Sequence, residues 1–150
     1  MMRKICFGTL LLASGAAQAA CTVSSTGIAF GIYNPSATVA NDATGSGTLS
    51  CTKGSGGISI VVTFNKGGGA SFAGRRMASG SNILPYQIYR DAARTEILGD
   101  GTAGTFDLKG PNNLPKNGGT ANFTVYGRIA KQLTVNPGSY TDVVIITVTF

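Results

Sequence analysis

Residues 141–150 read Thr-Asp-Val-Val-Ile-Ile-Thr-Val-Thr-Phe, a strongly β-forming run that stops on an apolar side chain. Side chains alternate across a strand, so Val144, Ile146, Val148 and Phe150 share one face, and Val143, Ile145, Thr147 and Thr149 share the other. A strand apolar on one face and half apolar on the other belongs inside a sandwich, paired along both edges. No later segment follows to be its neighbour. Two readings stay open. An earlier strand pairs there, or the chain folds as a sandwich missing its final strand, with an apolar groove beside the last one. Each fully buried apolar side chain of an inserted strand is worth roughly 1.5–3 kcal/mol. Four or five of them, as an order of magnitude, rival the net stability of a whole domain, about 5–15 kcal/mol. A domain short of that strand is marginal, exposes an aggregation-prone edge and needs a partner to supply the strand.

The rest of the chain carries the same grammar. Short alternating apolar runs lie at residues 21–23 and 27–30, 47–51, 58–64, 83–89 and 120–129, with the last at 143–150. Asn34-Pro35 and Gly67-Gly68-Gly69 punctuate them as turns or loops. Within 83–89, Leu84, Tyr86 and Ile88 share a face, as do Phe123 and Val125 further on. No segment shows helical apolar spacing bounded by caps. Six or so strands without a helix predict an all-β sandwich, and no linker or internal repeat divides it.

Residues 1–19 predict a cleaved secretory signal, leaving 20–150 as one domain. Arg3 and Lys4 form the basic start, residues 5–13 the apolar stretch, and Ala17-Gln18-Ala19 the small-residue cleavage site. The apolar stretch is about half of the ~20 residues needed to span a bilayer, so no transmembrane segment is expected after cleavage. Cleavage after Ala20 would leave Cys21 first, as in a lipoprotein, although Gln18 stands where such signals usually carry Leu. Cys6 leaves with the signal. Cys21 and Cys51, in an oxidising compartment, read as a disulfide closing a loop of about 30 residues, worth roughly 3–4 kcal/mol. The alternative is two free buried thiols. Loss of Arg3 and Lys4 lowers the formal net charge from +6 to about +4. The remaining basic residues are dispersed and do not interleave with aromatics, which argues against nucleic acid.

The expected chemistry is none: no catalytic residue, no cofactor, no metal. The chain has no histidine, hence neither the usual general base nor the commonest metal ligand. Ser50-Cys51-Thr52-Lys53 fits a Ser-x-x-Lys nucleophile pattern, but on a strand Ser50 and Lys53 face opposite ways. Asp100-Gly101 reads as a turn rather than a calcium loop, since no other acidic residues cluster around it. Leu114-Pro115-Lys116-Asn117-Gly118 only superficially resembles a sorting signal, and Asn122-Phe123-Thr124 is a chance sequon in a strand. Arg90, Asp91 and Arg94 suggest a local ion pair. Tyr33, Tyr86, Tyr89, Tyr126 and Tyr140 read as core or corner residues in preference to a sugar-binding platform.

A longer series of residues is more specific than any of these. It begins with Cys21, Gly27-Ile28-Ala29-Phe30-Gly31-Ile32-Tyr33-Asn34-Pro35, Gly47-Thr48-Leu49-Ser50-Cys51 and Arg76-Met77. It continues with Leu84-Pro85-Tyr86-Gln87-Ile88-Tyr89-Arg90-Asp91-Ala92-Ala93-Arg94 and Leu98-Gly99-Asp100-Gly101. It closes with Val125-Tyr126-Gly127-Arg128-Ile129, Pro137-Gly138-Ser139-Tyr140-Thr141-Asp142-Val143 and Thr147-Val148-Thr149-Phe150. The series resembles the spore coat protein U family, which includes pilins of archaic chaperone–usher pili. It runs over essentially all of the predicted mature chain.

The resemblance implies an immunoglobulin-like β-sandwich lacking its final strand. A periplasmic chaperone lends a strand first, and at the outer-membrane usher the N-terminal extension of a neighbouring pilin subunit replaces it. By position, Val144, Ile146, Val148 and Phe150 would pack on the chaperone or donor strand, basic residues of the chaperone would hold the terminal carboxylate, and Cys21 and Cys51 fall where the family places its disulfide. The protein would be exported to the periplasm and then displayed on the cell surface or secreted. One departure stands out. Polymerising pilins carry a donor segment ahead of the first Cys, yet cleavage after Ala19 or Ala20 leaves almost nothing there. At about 3.3 Å per extended residue it reaches no neighbour. A terminal subunit, able to accept a strand but not to give one, is therefore expected. A secreted adhesin, lectin or coat protein acting without an usher is the alternative.

Overall fold

The structure, a computed structural model, describes residues 21–52, 60–109 and 118–149. The leader through Ala20, Lys53, Ile58, Ser59, residues 114–117 and Phe150 therefore lie outside the described residues. Among the described residues the chain is all β: β1 Cys21–Ser25, β2 Asn41–Cys51, β3 Val61–Phe64, β4 Arg76–Ser79, β5 Asn82–Pro85, β6 Gln87–Tyr89, β7 Leu108–Lys109, β8 Gly119–Ile129 and β9 Ile146–Thr149. None of these residues forms a helix long and apolar enough to cross a membrane.

Two sheets and a hairpin make up the immunoglobulin-like sandwich. The first sheet runs β1-β2-β8-β6, the second β7-β3-β9, and β4 pairs with β5. All named pairings are antiparallel. β2 and β8 pair without a break from Asn41↔Ile129 to Cys51↔Gly119. Along them one face turns inward through Leu49, Val125 and Ile129, while Thr44, Ser46, Ser50, Thr120, Asn122 and Thr124 meet water. Val62 and Phe64 of β3 close the core from the other sheet, with Met77 and Leu84 from the hairpin and Tyr86, Ile88 and Leu98 completing it. Phe64 meets Phe123 edge to face across the core, ring centroids 6.2 Å apart. A disulfide joins Cys21 to Cys51, directly opposite residues at the end of the β1–β2 ladder.

Several strands differ from their sequence-based bounds, each for a reason of partnership. Residues 47–51 extend backward to Asn41 because β8 offers a rung for every residue. The 83–89 run splits at Tyr86: its N–H still donates to Arg75 O at 3.1 Å, in register with the β4–β5 hairpin, and Gln87–Tyr89 then pair with β8 instead. Residues 27–30 leave the sheet after Thr26 N–H donates to Ser46 O. The C-terminal run, expected as one strand over 143–150, is a strand only at Ile146–Thr149. Thr141 and Ala78 exchange two hydrogen bonds of 2.9 and 3.0 Å, and the chain then changes partner to β3. The local pair expected among Arg90, Asp91 and Arg94 is replaced by longer-range ones: Arg90 bridges Glu96 at 2.6 Å and Arg94 reaches Asp42 at 3.4 Å. Asp91 instead caps a turn, accepting from Thr95 and Glu96 N–H.

Candidate functional site

β9 pairs with β3 from Phe64↔Ile146 to Val61↔Thr149. Its other edge has no backbone partner among the described residues. Ahead of it, Val143 and Ile145 point outward, 78 % and 59 % exposed, while Val144, Ile146 and Val148 are half-buried against the core. The alternation read from the sequence is therefore present, with the apolar face inward.

Where β9 begins, at Ile146, lies a groove between residues 25–33 on one side and 135–146 on the other. It has two lobes of about 590 and 400 Å³ that share Ile28, Phe30, Met77 and Tyr140. The larger lobe reaches Leu84 and Ile129; the smaller reaches Phe64, Ile88, Phe123 and Val125, with Val144 and Ile146 on its rim. Together the volumes lie in the range that accepts a sizeable apolar ligand. Phe30 sits edge to face on Tyr86 with centroids 6.0 Å apart. Glycines let Ile28 and Phe30, which line both lobes, sit close on the β2–β8 ladder. A side chain at Gly127 would come within 2.6 Å of Phe30 and 2.9 Å of Ile28, and one at Gly45 within 2.9 Å of Ile28. Glycine inside a strand marks such a close approach.

The facing rim, residues 27–33, makes few bonds of its own. Asn41 donates its amide to Phe30 O at 3.0 Å, and the Tyr33 hydroxyl donates to Ala130 O and accepts from Leu133 N–H. Ile32 is 97 % exposed. Both rims thus flank an apolar slot with backbone that belongs to no strand over most of its length.

Polar chemistry near the groove is structural. Tyr86 donates its hydroxyl to Asp142 Oδ2 at 2.6 Å. Burial, with the bond to Asp142, pushes its phenol above the ordinary value, so it remains a donor. The remaining tyrosines have internal duties too: Tyr140 donates to Asn136 O, and Tyr126 lies under the Arg94 guanidinium. Asp100 closes its turn by accepting from Thr102 N–H and hydroxyl. Of the sequence-derived contact residues, the structure places Val144 and Ile146 at the groove. Val148 packs on the core one step further along β9, and Phe150 lies outside the described residues. Ile28, Phe30, Met77, Tyr86 and Tyr140 were not singled out as groove residues. The signal for two of them was present: Gly45 and Gly127 interrupt strands that are otherwise continuous.

The structure thus defines the class of fold, an immunoglobulin-like sandwich with an apolar groove beside its C-terminal strand. The family follows from the sequence itself: the model of the Spore Coat Protein U domain matches residues 8–147, and the chain belongs to that family. Among solved structures it is similar to a chain in the crystal structure of the CsuC–CsuE chaperone–tip adhesion subunit pre-assembly complex from archaic chaperone–usher Csu pili of Acinetobacter baumannii. The TM-score is 0.62 at 19 % identity over 89 % of this chain, which shows the shared fold. This chain spans 40 % of the length of that one. No curated protein matches it.

Proposed function

We propose that this protein is a structural, non-enzymatic subunit of a chaperone–usher surface fibre, which receives a strand from a periplasmic chaperone and then from a neighbouring subunit. One observation carries the reading: the unpartnered edge of β9 beside a groove lined by Ile28, Phe30, Met77, Val144 and Ile146. Membership of the Spore Coat Protein U family and the fold shared with a subunit–chaperone complex support it. In this reading Val144, Ile146, Val148 and Phe150 meet the incoming strand. Residues 1–19 direct export to the periplasm, and assembly at an outer-membrane usher brings the protein to the surface. Sequencing the mature N-terminus tests the terminal place in the fibre, which an extension of donor length ahead of Cys21 would remove.

The test of strand acceptance is expression with and without a periplasmic chaperone of a chaperone–usher system. The chain alone is expected to aggregate, and the pair to purify as a soluble complex. Ile146→Asp should abolish capture by placing an unpaired charge in an apolar slot, and Phe150→Asp should do the same. A soluble monomer whose amides at residues 146–149 resist exchange on both strand edges would overturn the proposal.

A further inference from the structure

Residues 142–145 lie between the Thr141–Ala78 bridge and β9, belong to no strand, and have one backbone rung toward β3, from Asn65 N–H to Ile145 O. Exposed backbone of this kind ordinarily frays. Here side chains replace the missing rungs. Asp142 Oδ1 accepts from Gly68 N–H and Val143 N–H, each at 2.8 Å, and Oδ2 accepts from the Tyr86 hydroxyl. Asn65 N–H donates to Ile145 O at 3.0 Å, and Asn65 Oδ1 accepts from Ile145 N–H at 2.9 Å.

The partners of these groups are themselves fixed. Asn65 O accepts from Arg75 Nη2 at 2.7 Å. Arg75 is 1 % exposed, and its Nη1 donates to Gln87 Oε1 at 2.8 Å. The Asp142 carboxylate rests on Gly67, whose φ of +58° suits glycine and where a side chain would collide with that carboxylate. These bonds tie residues 142–145 to β3, the 67–68 loop and Tyr86, and the segment still sends Val144 into the groove.

We propose that Asp142 and Asn65, supported by Tyr86 and Arg75, are positioning residues that hold this rim of the groove in its strand-receiving shape before any strand arrives. The proposal rests on the strand-accepting reading above and adds its mechanism. A rim already held in place leaves an incoming strand less backbone to order, and a binder that is only partly competent loses affinity by its competent fraction. The facing rim at residues 27–33 lacks an equivalent set of bonds, so the two sides of the slot play unequal parts: one is a fixed template, the other closes over the occupant.

The experiment uses the full chain loaded on its chaperone, with a synthetic peptide of alternating valine and threonine as the replacing strand. Asp142→Ala and Asn65→Ala are expected to speed hydrogen exchange at the Ile145 amide and to slow peptide capture about tenfold, the scale of a lost hydrogen bond to a charged group. Dissociation of the filled complex should change little, because the inserted strand, paired along the opposite edge, then holds the segment in place. Asp142→Asn, which keeps the acceptor for Gly68, should restore most of the capture rate. Tyr86→Phe removes a single hydroxyl and keeps the test available if the alanine variants fail to fold; it should slow capture about threefold. Capture at the wild-type rate in Tyr86→Phe and Asp142→Ala would overturn the positioning role alone. So would an equal change in association and dissociation. A wild-type chain that captures no peptide would bring down the strand-accepting reading and this proposal with it.

Discussion

β2 and β9 invert what composition alone would suggest. β2 reads Asn-Asp-Ala-Thr-Gly-Ser-Gly-Thr-Leu-Ser-Cys, a poor set of β formers, yet it runs 11 residues and has a neighbour on each side. The C-terminal run is dense in Val, Ile and Thr, yet becomes a strand for only 4 residues and pairs on one side. Strand length here follows the partners on offer rather than intrinsic propensity, as expected when the ladder and the packing of side chains, not the isolated backbone, stabilise a sheet. The half built on β2 and β8 closes both edges of these two strands. β9 leaves the backbone groups of its other edge without a strand partner among the described residues, a state that costs stability.

The difference between the halves can be broken from either side. The largest effect is expected from the closed half. Replacing Cys21 and Cys51 by serine removes a link across 30 residues and should lower stability by about 3 kcal/mol, read as a shift in the urea midpoint of the chaperone-free, strand-filled protein. An unchanged midpoint would mean that the β1–β2–β8 ladder suffices without the link.

A smaller effect is expected where the halves meet. Gly127→Ala puts a methyl group against Phe30 and Ile28 and should cost about 1–3 kcal/mol. The displaced Phe30 ring would move into the groove, so strand capture should fall more than stability does. Equal losses in both would show that the glycine serves packing only.

The smallest effect concerns the outer face of the closed half. Asp42 accepts from Arg128 at 2.7 and 2.9 Å, and that bond, with the charges of Arg128 and Arg94, holds its carboxyl below the ordinary value. A depressed carboxylate adds stability above its unfolded pKa, about 3.9, and the contribution is lost as pH falls through the lower folded value. The pair is a third exposed, which limits it to at most about 1 kcal/mol. Asp42→Asn should therefore be slightly less stable than the wild type at pH 7 and equal to it near pH 2. A gap between them that persists in acid would assign the effect to packing instead.

Much of this was legible in the residues. The all-β sandwich, the inward face of Leu84, Tyr86 and Ile88, and the pairing of Cys21 with Cys51 all follow from alternation, turn chemistry and compartment. So did the inward side of Val144, Ile146 and Val148, because a period of two cannot be shifted without turning a whole face outward. What escaped was set by distant partners. β4 has two apolar residues among its four and no alternation strong enough to declare itself. Asp142 looks like an ordinary turn residue until Gly68 and Tyr86, 74 and 56 positions away, are brought to its carboxylate. The close seating of Ile28 and Phe30 was visible only as glycines, which record where another side chain passes but not whose.

The sulfur link at the base of β1 also has a mechanical consequence. A force acting at Cys21 crosses to Cys51 through the bond between them, so the 29 residues enclosed by that loop carry no tension. The load enters the sheet at the end of β2, which is locked rung by rung to β8. Residues 25–33, one whole flank of the slot, sit inside the slack loop. Tension entering at Cys21 therefore bypasses this flank of the groove, which stays at rest while the β2–β8 ladder bears the load.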